Sequence, residues 1–115
     1  MKGGDIMKKV SGKTIIMTRG DTVRIKLSLT DDSGNTYHPR DGDKIRFAAK
    51  KQYSDKIPLI LITIPNDTLT LTINPNDTKQ LDFGTYVYDI QITYANGDVD
   101  TIIAKQTLRL EEEVD

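Results

Sequence analysis

Apolar and polar residues alternate along two segments of this chain, with Val87 the single exception. Between residues 22 and 30 the apolar positions are Val23, Ile25, Leu27 and Leu29. Between residues 85 and 94 they are Tyr86, Tyr88, Ile90, Ile92 and Tyr94. Successive side chains of a strand point to opposite faces, so each segment predicts a strand with one buried and one solvated face. A sheet built from such strands needs a second layer to cover its apolar face.

The rest of the chain follows the same pattern. Turn-forming residues divide it into seven predicted strands, at 13–18, 22–30, 44–50, 58–64, 68–73, 85–94 and 99–110. Seven short strands in about a hundred residues are typical of an all-β, immunoglobulin-like antiparallel sandwich. The sequence contains no cysteine, so we expect packing alone to hold the sheets together.

One long interruption of the strand pattern falls at residues 74–83. Pro75, Asn76 and Asp77 favour a single helical turn there, which we expect to form the crossover between the two sheets. The following segment, Asp82-Phe-Gly-Thr-Tyr-Val-Tyr88, is similar to the tyrosine corner of immunoglobulin domains. This similarity implies that the Tyr86 hydroxyl bonds back to the crossover backbone. Further on, Asn96-Gly97 predicts a tight hairpin with a two-residue type I′ turn.

Composition favours one domain without a nucleic-acid or membrane partner. We assign residues 1–12 to a flexible amino-terminal segment, 13–110 to the sandwich and 111–115 to an acidic tail. The formal net charge is −1, with both signs interleaved, which argues against nucleic acid or an anionic membrane surface. The start of the chain lacks the apolar core of a signal peptide, so we expect the protein to fold in a bacterial cytoplasm.

The sequence offers little material for catalysis. His38 is the only histidine and lies in a predicted loop, without cysteine or a second histidine to complete a metal site or a catalytic triad. The aspartates of the loops are ordinary turn formers. We therefore predict a protein that is not an enzyme, with no catalytic residues, no cofactor and no metal.

Two short motifs have ordinary structural explanations. Arg19-Gly20-Asp21 spells a cell-adhesion tripeptide, yet it joins the first two predicted strands, where glycine and aspartate are common turn residues. A basic stretch surrounds the third strand and the loop after it, and we expect a solvated strand face; its members are Lys44, Arg46, Lys50, Lys51 and Lys56.

The fourth predicted strand is apolar on both faces. Leu59 and Leu61 alternate with Ile60, Ile62 and Ile64, so the outer face of this strand must be covered by something. We predict an interaction edge at Leu59, Leu61 and Thr63, where unpaired backbone groups can add a strand from another protein. Such an edge is also compatible with a homo-oligomer.

An alternative function is carbohydrate binding or adhesion on a bacterial surface. Sugar recognition by a sandwich domain needs exposed aromatic rings for stacking. Tyr37 and Tyr53 lie in predicted loops and are the candidate ligand-contact residues, whereas Tyr86, Tyr88 and Tyr94 point to the core by their parity.

Four segments carry a resemblance to a known family. They are Thr14-Ile-Ile-Met-Thr-Arg-Gly-Asp-Thr22, Gly42-Asp-Lys-Ile-Arg-Phe47, Gly84-Thr-Tyr-Val-Tyr-Asp-Ile90 and Asn96-Gly-Asp-Val-Asp-Thr-Ile-Ile103. Together they resemble small prophage proteins of Gram-positive bacteria, which are similar to the amino-terminal sandwich domain of phage baseplate upper proteins. The resemblance implies a virion location and a structural or adaptor role in the tail or baseplate. It also implies that the partners are other virion or phage-encoded proteins.

Overall fold

The computed structural model describes residues 14–113, so the segment predicted to be flexible, 1–12, lies outside the described residues. Within these residues, seven strands and one helical turn follow one another in the predicted order. They are β1 (Ile15–Thr18), β2 (Val23–Lys26), β3 (Lys44–Lys50), β4 (Ile60–Ile64), β5 (Thr70–Ile73), α1 (Pro75–Thr78), β6 (Gly84–Thr93) and β7 (Val99–Glu111). No helix within residues 14–113 has the length and apolarity needed to cross a membrane.

The strands form two sheets. One has five strands in the order β1-β7-β6-β3-β4, and the other pairs β2 with β5. Strands β1 and β7 run parallel, with Ile15 opposite Leu108, and every other pair is antiparallel. The second and fifth strands thus face a sheet that contains the third, sixth and seventh, as in immunoglobulin-like sandwiches. The predicted fold class is confirmed.

Strand β2 is shorter than predicted, because its partner changes part-way along. The N–H of Leu27 still donates to the carbonyl of Leu69, next to β5. Two residues later, the carbonyl of Leu29 accepts the N–H of Tyr37, and Thr30 pairs with Thr36. The segment predicted as one strand over 22–30 therefore ends as a regular strand at Lys26 and continues into a local hairpin.

The core lies between the sheets and consists of the inward positions of the alternating strands. Ile45, Phe47, Ile73, Ile92 and Leu108 are completely buried. The ring of Phe47 packs against that of Tyr88, with their centroids 5.1 Å apart. Burying one such side chain contributes about 1.5–3 kcal/mol, so this period-two pattern supplies most of the driving force for folding.

The hairpin between β6 and β7 is present, but its predicted turn type is wrong. Gly97 donates to the carbonyl of Tyr94, and Tyr94 donates to the carbonyl of Asp98. Gly97 has a φ of 96°, whereas Asn96 is not among the residues with positive φ. A type I′ turn requires positive φ at both central residues. The loop is instead the three-residue kind, a turn centred on Ala95 and Asn96 followed by a left-handed glycine.

Strand β7 contains an irregularity that the sequence did not predict. Its register against β6 shifts between Tyr88 and Ile90 and again between Ile90 and Gln91. Lys105, in this region, has a left-handed φ of 53°. The extra residues allow the consecutive side chains of Ile102 and Ile103 both to be buried, which strict alternation would forbid.

The crossover between β5 and β6 forms as predicted. The N–H of Asn74 donates to Oδ2 of Asp77 (2.7 Å), which caps α1. The hydroxyl of Tyr86 donates to the carbonyl of Asp82 (2.7 Å), which confirms the tyrosine corner. Thr78 is fully buried, and its hydroxyl accepts the N–H of Gly20 (2.8 Å). The crossover is thereby fastened to the turn between β1 and β2.

The end of the described chain is anchored to the same turn. Glu111 belongs to β7 rather than to a separate tail, and Glu113 pairs with Arg19 (3.3 Å) and Lys79 (2.9 Å). These two cations lower the pKa of the Glu113 carboxyl, the Lys79 hydrogen bond having the largest effect. The Arg19 guanidinium also donates to the carbonyl of Leu81 and lies over the ring of Phe83. The arginine of the adhesion-like tripeptide is therefore engaged within the domain.

Candidate interaction surface

Strand β4 forms one edge of the five-stranded sheet. Among residues 14–113 it pairs with β3 on one side, and no strand of that sheet pairs with its other side. Leu59 is 49% exposed, Leu61 is 63% exposed, and Thr63 is also exposed. The structure thus brings the three predicted edge residues together on the outer face of an edge strand.

The hydrogen-bond alternation shows which backbone groups of β4 point to its open side. The backbone N–H of Tyr94 donates to the carbonyl of Asp98, so the backbone groups of Tyr94 point towards β7. Backbone groups of successive residues point to opposite sides of a strand, and those of Gln91 and Thr93 therefore point towards β3. The same alternation continues through β3, so the backbone groups of Ile60, Ile62 and Ile64 point towards β3. Leu61 and Thr63 consequently direct their N–H and C=O groups to the open edge. The N–H of Leu59 is already bonded to the carbonyl of Ala49 (2.8 Å).

This edge lacks the charged residues that commonly protect edge strands against pairing. The segment from Ile57 to Ile64 contains no charged residue, and Ile57, just before the strand, is 80% exposed. Edge strands of soluble proteins are commonly guarded by lysine, inward-pointing charges or bulges. A short, uncharged edge with two exposed leucines is suited to accepting another strand.

The five cations of the basic stretch next to the edge differ in their contacts. Arg46 of β3 bonds Asp89 (3.2 Å) and Gln91 (2.7 Å) of β6, across the outer face of the sheet. The ammonium of Lys51 lies 4.6 Å from the centre of the Tyr86 ring. Lys44 and Lys56 are exposed. At least two of the five cations are therefore engaged inside the domain.

Tyr37, one of the two aromatic residues proposed to contact a ligand, is buried, and its assignment to an exposed loop is wrong. Its side chain is 7% exposed, and its hydroxyl donates to Oδ2 of Asp43 (2.6 Å). Its ring meets that of Tyr94 edge to face, with their centroids 6.4 Å apart. Burial, followed by the hydrogen bond to Asp43, raises the pKa of Tyr37 to about 12. A ring enclosed in this way cannot stack on a sugar.

Tyr53, the other predicted aromatic, is 46% exposed and lies over the outer face of the five-stranded sheet. It lines a small depression together with Ala48, Val87 and Asp89. The ammonium of Lys105 is 5.9 Å from its ring centre. Desolvation and the nearby Asp89 raise the pKa of Tyr53. A single half-exposed tyrosine is a minimal platform for carbohydrate stacking.

Asp43 is a buried carboxylate that the sequence pattern did not reveal. Besides the Tyr37 hydroxyl, it accepts the N–H of Arg40 (2.9 Å) and of Ala95 (3.2 Å). Nearby, the hydroxyl of Tyr94 donates to Asp100 (2.8 Å), and burial, with that bond, raises the pKa of Tyr94. In the sequence Asp43 has the same local surroundings as any turn aspartate. Two of its partners, Tyr37 and Arg40, lie in the same loop, but the third, Ala95, lies 52 residues further along the chain, and no local signal identifies this contact.

A cleft of about 570 Å³ opens between the two sheets beside β1 and β2. These two strands diverge from the Arg19-Gly20-Asp21 turn into different sheets, and the cleft lies in the gap between them. Its walls are mainly apolar and include Ile16, Val23, Ile25, Leu71 and Ile103. Within residues 14–113, no group of three histidine, aspartate or glutamate side chains is placed to hold a metal ion.

Comparison with known proteins gives no family assignment. No protein-family model matches the chain, and no curated protein matches it. Among solved structures, that of murine CRIg aligns with 92% of this chain and 98% of its own, at 12% sequence identity and a TM-score of 0.42.

Proposed function

We propose that this chain is a non-enzymatic structural or adaptor module that acts through protein–protein contacts in a phage virion, at the tail or baseplate. The proposed location rests on the resemblance of its segments 14–22, 42–47, 84–90 and 96–103 to small prophage proteins. The mode of action rests on the structure. The proposed partners are other virion or phage-encoded proteins.

The observation that carries the proposal is the uncharged open edge at β4. It presents the backbone groups of Leu61 and Thr63 to solvent, next to the apolar side chains of Ile57 and Leu59. Apolar surface of this kind is costly to leave in water, and a sheet edge supplies main-chain bonds to any strand that covers it. Binding therefore needs no pocket and no catalytic group.

The polar side chains that are hydrogen-bonded within the domain support a non-catalytic role. The Asp43 carboxylate accepts three hydrogen bonds from within the domain, and the Asp100 carboxylate accepts one from Tyr94. Arg46 is paired with Asp89 and Gln91. These contacts position loops and strands relative to one another. A general base or nucleophile would instead face a place where a substrate can lie.

The test is to induce the prophage in the bacterium that carries this gene and to measure the chain in purified particles by mass spectrometry. We expect the wild-type chain in the particles and a strong reduction for Leu61→Lys, which places a charge on the edge. Thr85→Lys is the matched control, because Thr85 is exposed on β6, an interior strand of the same sheet. Absence of the wild-type chain from purified particles would overturn the proposal.

A further inference from the structure

We propose that β4 pairs with β4 of a second copy of this chain, antiparallel and with Ile62 opposite Ile62. Two five-stranded sheets would then join into one continuous sheet of ten strands. This inference deepens the proposed function and rests on the same edge. It adds the identity of a partner, the direction of pairing and the register.

The register follows from the backbone groups that face the open side. In each copy these belong to Leu61 and Thr63; Leu59 already donates its N–H to Ala49, and Pro65 has no N–H. Placing Ile62 opposite Ile62 sets Leu61 of one copy against Thr63 of the other, and the reverse. All four outward N–H groups of the pair then find carbonyl acceptors. Centring the pair on Leu61 would oppose Thr63 to Leu59, whose N–H is already used.

The side chains fit the same register. Leu61 lies beside Thr63 of the second copy on the outer face, while Ile62 meets its own equivalent on the inner face. No charge is brought into the contact, because the segment from Ile57 to Ile64 has none. The strand is therefore complementary to itself, as a twofold interface requires.

The charges flanking the strand favour the antiparallel direction. Lys56 precedes the uncharged segment and Asp67 follows it, and both side chains are exposed. Antiparallel pairing brings the Lys56 end of one copy to the Asp67 end of the other at both ends of the contact. Parallel pairing would place Lys56 beside Lys56 and Asp67 beside Asp67. Opposite charges across an interface favour one arrangement over the other.

The pairing should be weak in dilute solution. An edge of five residues, even with its neighbouring outer face, buries less than the roughly 1,200 Å² typical of stable complexes. We therefore expect a dimer that forms with rising concentration and that becomes dominant where copies are held close together, as in a particle.

Disulfide trapping tests the register, and the chain is suited to it because it has no cysteine of its own. The full-length variants Leu61→Cys and Thr63→Cys are prepared separately, reduced, and oxidised either alone or mixed. In the proposed register, Leu61 of one copy and Thr63 of the other form a hydrogen-bonded pair, whose Cα atoms lie about 5.5 Å apart, within the range that a disulfide spans. Identical positions are then diagonal neighbours, about 7–8 Å or more apart, which is too far for easy bridging.

The expected result is a mixed disulfide that forms in the mixture about tenfold or more faster than either variant couples with itself, because pairing raises the local concentration of the two sulfurs. The control variant, Thr85→Cys, reports random collision on an interior strand. Circular dichroism verifies that each variant is folded. Rapid self-coupling of Leu61→Cys would overturn the Ile62-centred register. Coupling of the mixture at the Thr85→Cys rate would overturn pairing through this edge.

This outcome is separable from that of the particle experiment. If the chain is found in virions and the mixed disulfide does not form, the edge binds another protein and the self-pairing inference fails alone. If the mixed disulfide forms and the chain is absent from virions, self-pairing stands and the virion role fails.

Discussion

The hydroxyl of Tyr37 lies 2.6 Å from Oδ2 of Asp43, and the carboxylate that accepts this hydrogen bond is itself only 6% exposed. The same carboxylate accepts the N–H groups of Arg40 and Ala95. One side chain thus joins the loop before β3 to the turn after β6. The arrangement closes one end of the sandwich and draws an aromatic ring out of solvent.

Replacing this carboxylate should destabilise the domain. In Asp43→Ala, three donors lose their acceptor in a largely buried place, so we expect the free energy of unfolding to fall by about 3 kcal/mol. Urea denaturation followed by circular dichroism measures the change. Asp41→Ala is the control, since Asp41 is an exposed neighbour and its loss should stay within about 0.5 kcal/mol. Equal effects of the two substitutions would contradict a central role for Asp43.

The raised pKa of Tyr37 predicts a loss of stability in alkali. Burial and the Asp43 bond raise this pKa from 10.0 to about 12 in the folded state. The unfolded chain therefore loses this proton first, and stability falls as pH rises from about 10 towards 12, by up to about 1.4 kcal/mol per pH unit for this residue.

Unfolding measured across that range checks the effect. Tyr94 also has a raised pKa, so the difference between the wild type and Tyr37→Phe isolates the contribution of Tyr37. We expect the free energy of unfolding to fall less steeply with pH in Tyr37→Phe than in the wild type. Parallel slopes for the two proteins would mean that Tyr37 titrates alike in the folded and unfolded states.

Local sequence patterns predicted the structural features that depend on residues close together in the chain. Alternation fixed the inward side chains of the long strands, and the Asp82-to-Tyr88 segment predicted the corner made by Tyr86. The apolar parity of the fourth strand marked it as an edge, and the structure places it there. Which protein covers that edge depends on a surface outside the chain.

The features that could not be predicted arise from contacts between distant segments. Tyr37 precedes His38 and Pro39, a loop-like context, and only the distant Tyr94 and Ala95, together with Asp43, explain its burial. The anchoring of Glu113 depends on Arg19, far away in sequence. The turn type predicted at Asn96-Gly97 was wrong for a different reason. The same dipeptide suits both a two-residue and a three-residue hairpin, and strand register decides between them.

The tyrosine corner should contribute a measurable part of the stability. Tyr86→Phe keeps the buried ring and removes only the hydrogen bond to the Asp82 carbonyl, so we expect a loss of about 1 kcal/mol in the free energy of unfolding. Tyr53→Phe removes the same hydroxyl from a half-exposed ring and should change stability by less than about 0.5 kcal/mol. Urea titrations of the two variants give the comparison. A corner bond without energetic value would leave both indistinguishable from the wild type.

The left-handed conformation of Lys105 yields a prediction that separates backbone strain from side-chain contact. A side chain with a Cβ disfavours a φ of 53°, by about 1 kcal/mol or more, whereas glycine adopts it readily. Lys105→Ala removes the ammonium that lies near the Tyr53 ring but keeps the strain, so its stability should lie within about 0.5–1 kcal/mol of the wild type. Lys105→Gly removes both, and we expect it to exceed Lys105→Ala by about 1 kcal/mol in the free energy of unfolding. Urea denaturation of both variants measures this difference. A glycine variant less stable than the alanine variant would show that the bulge in β7 does not hold residue 105 in the left-handed region, and the joint burial of Ile102 and Ile103 would then need another origin.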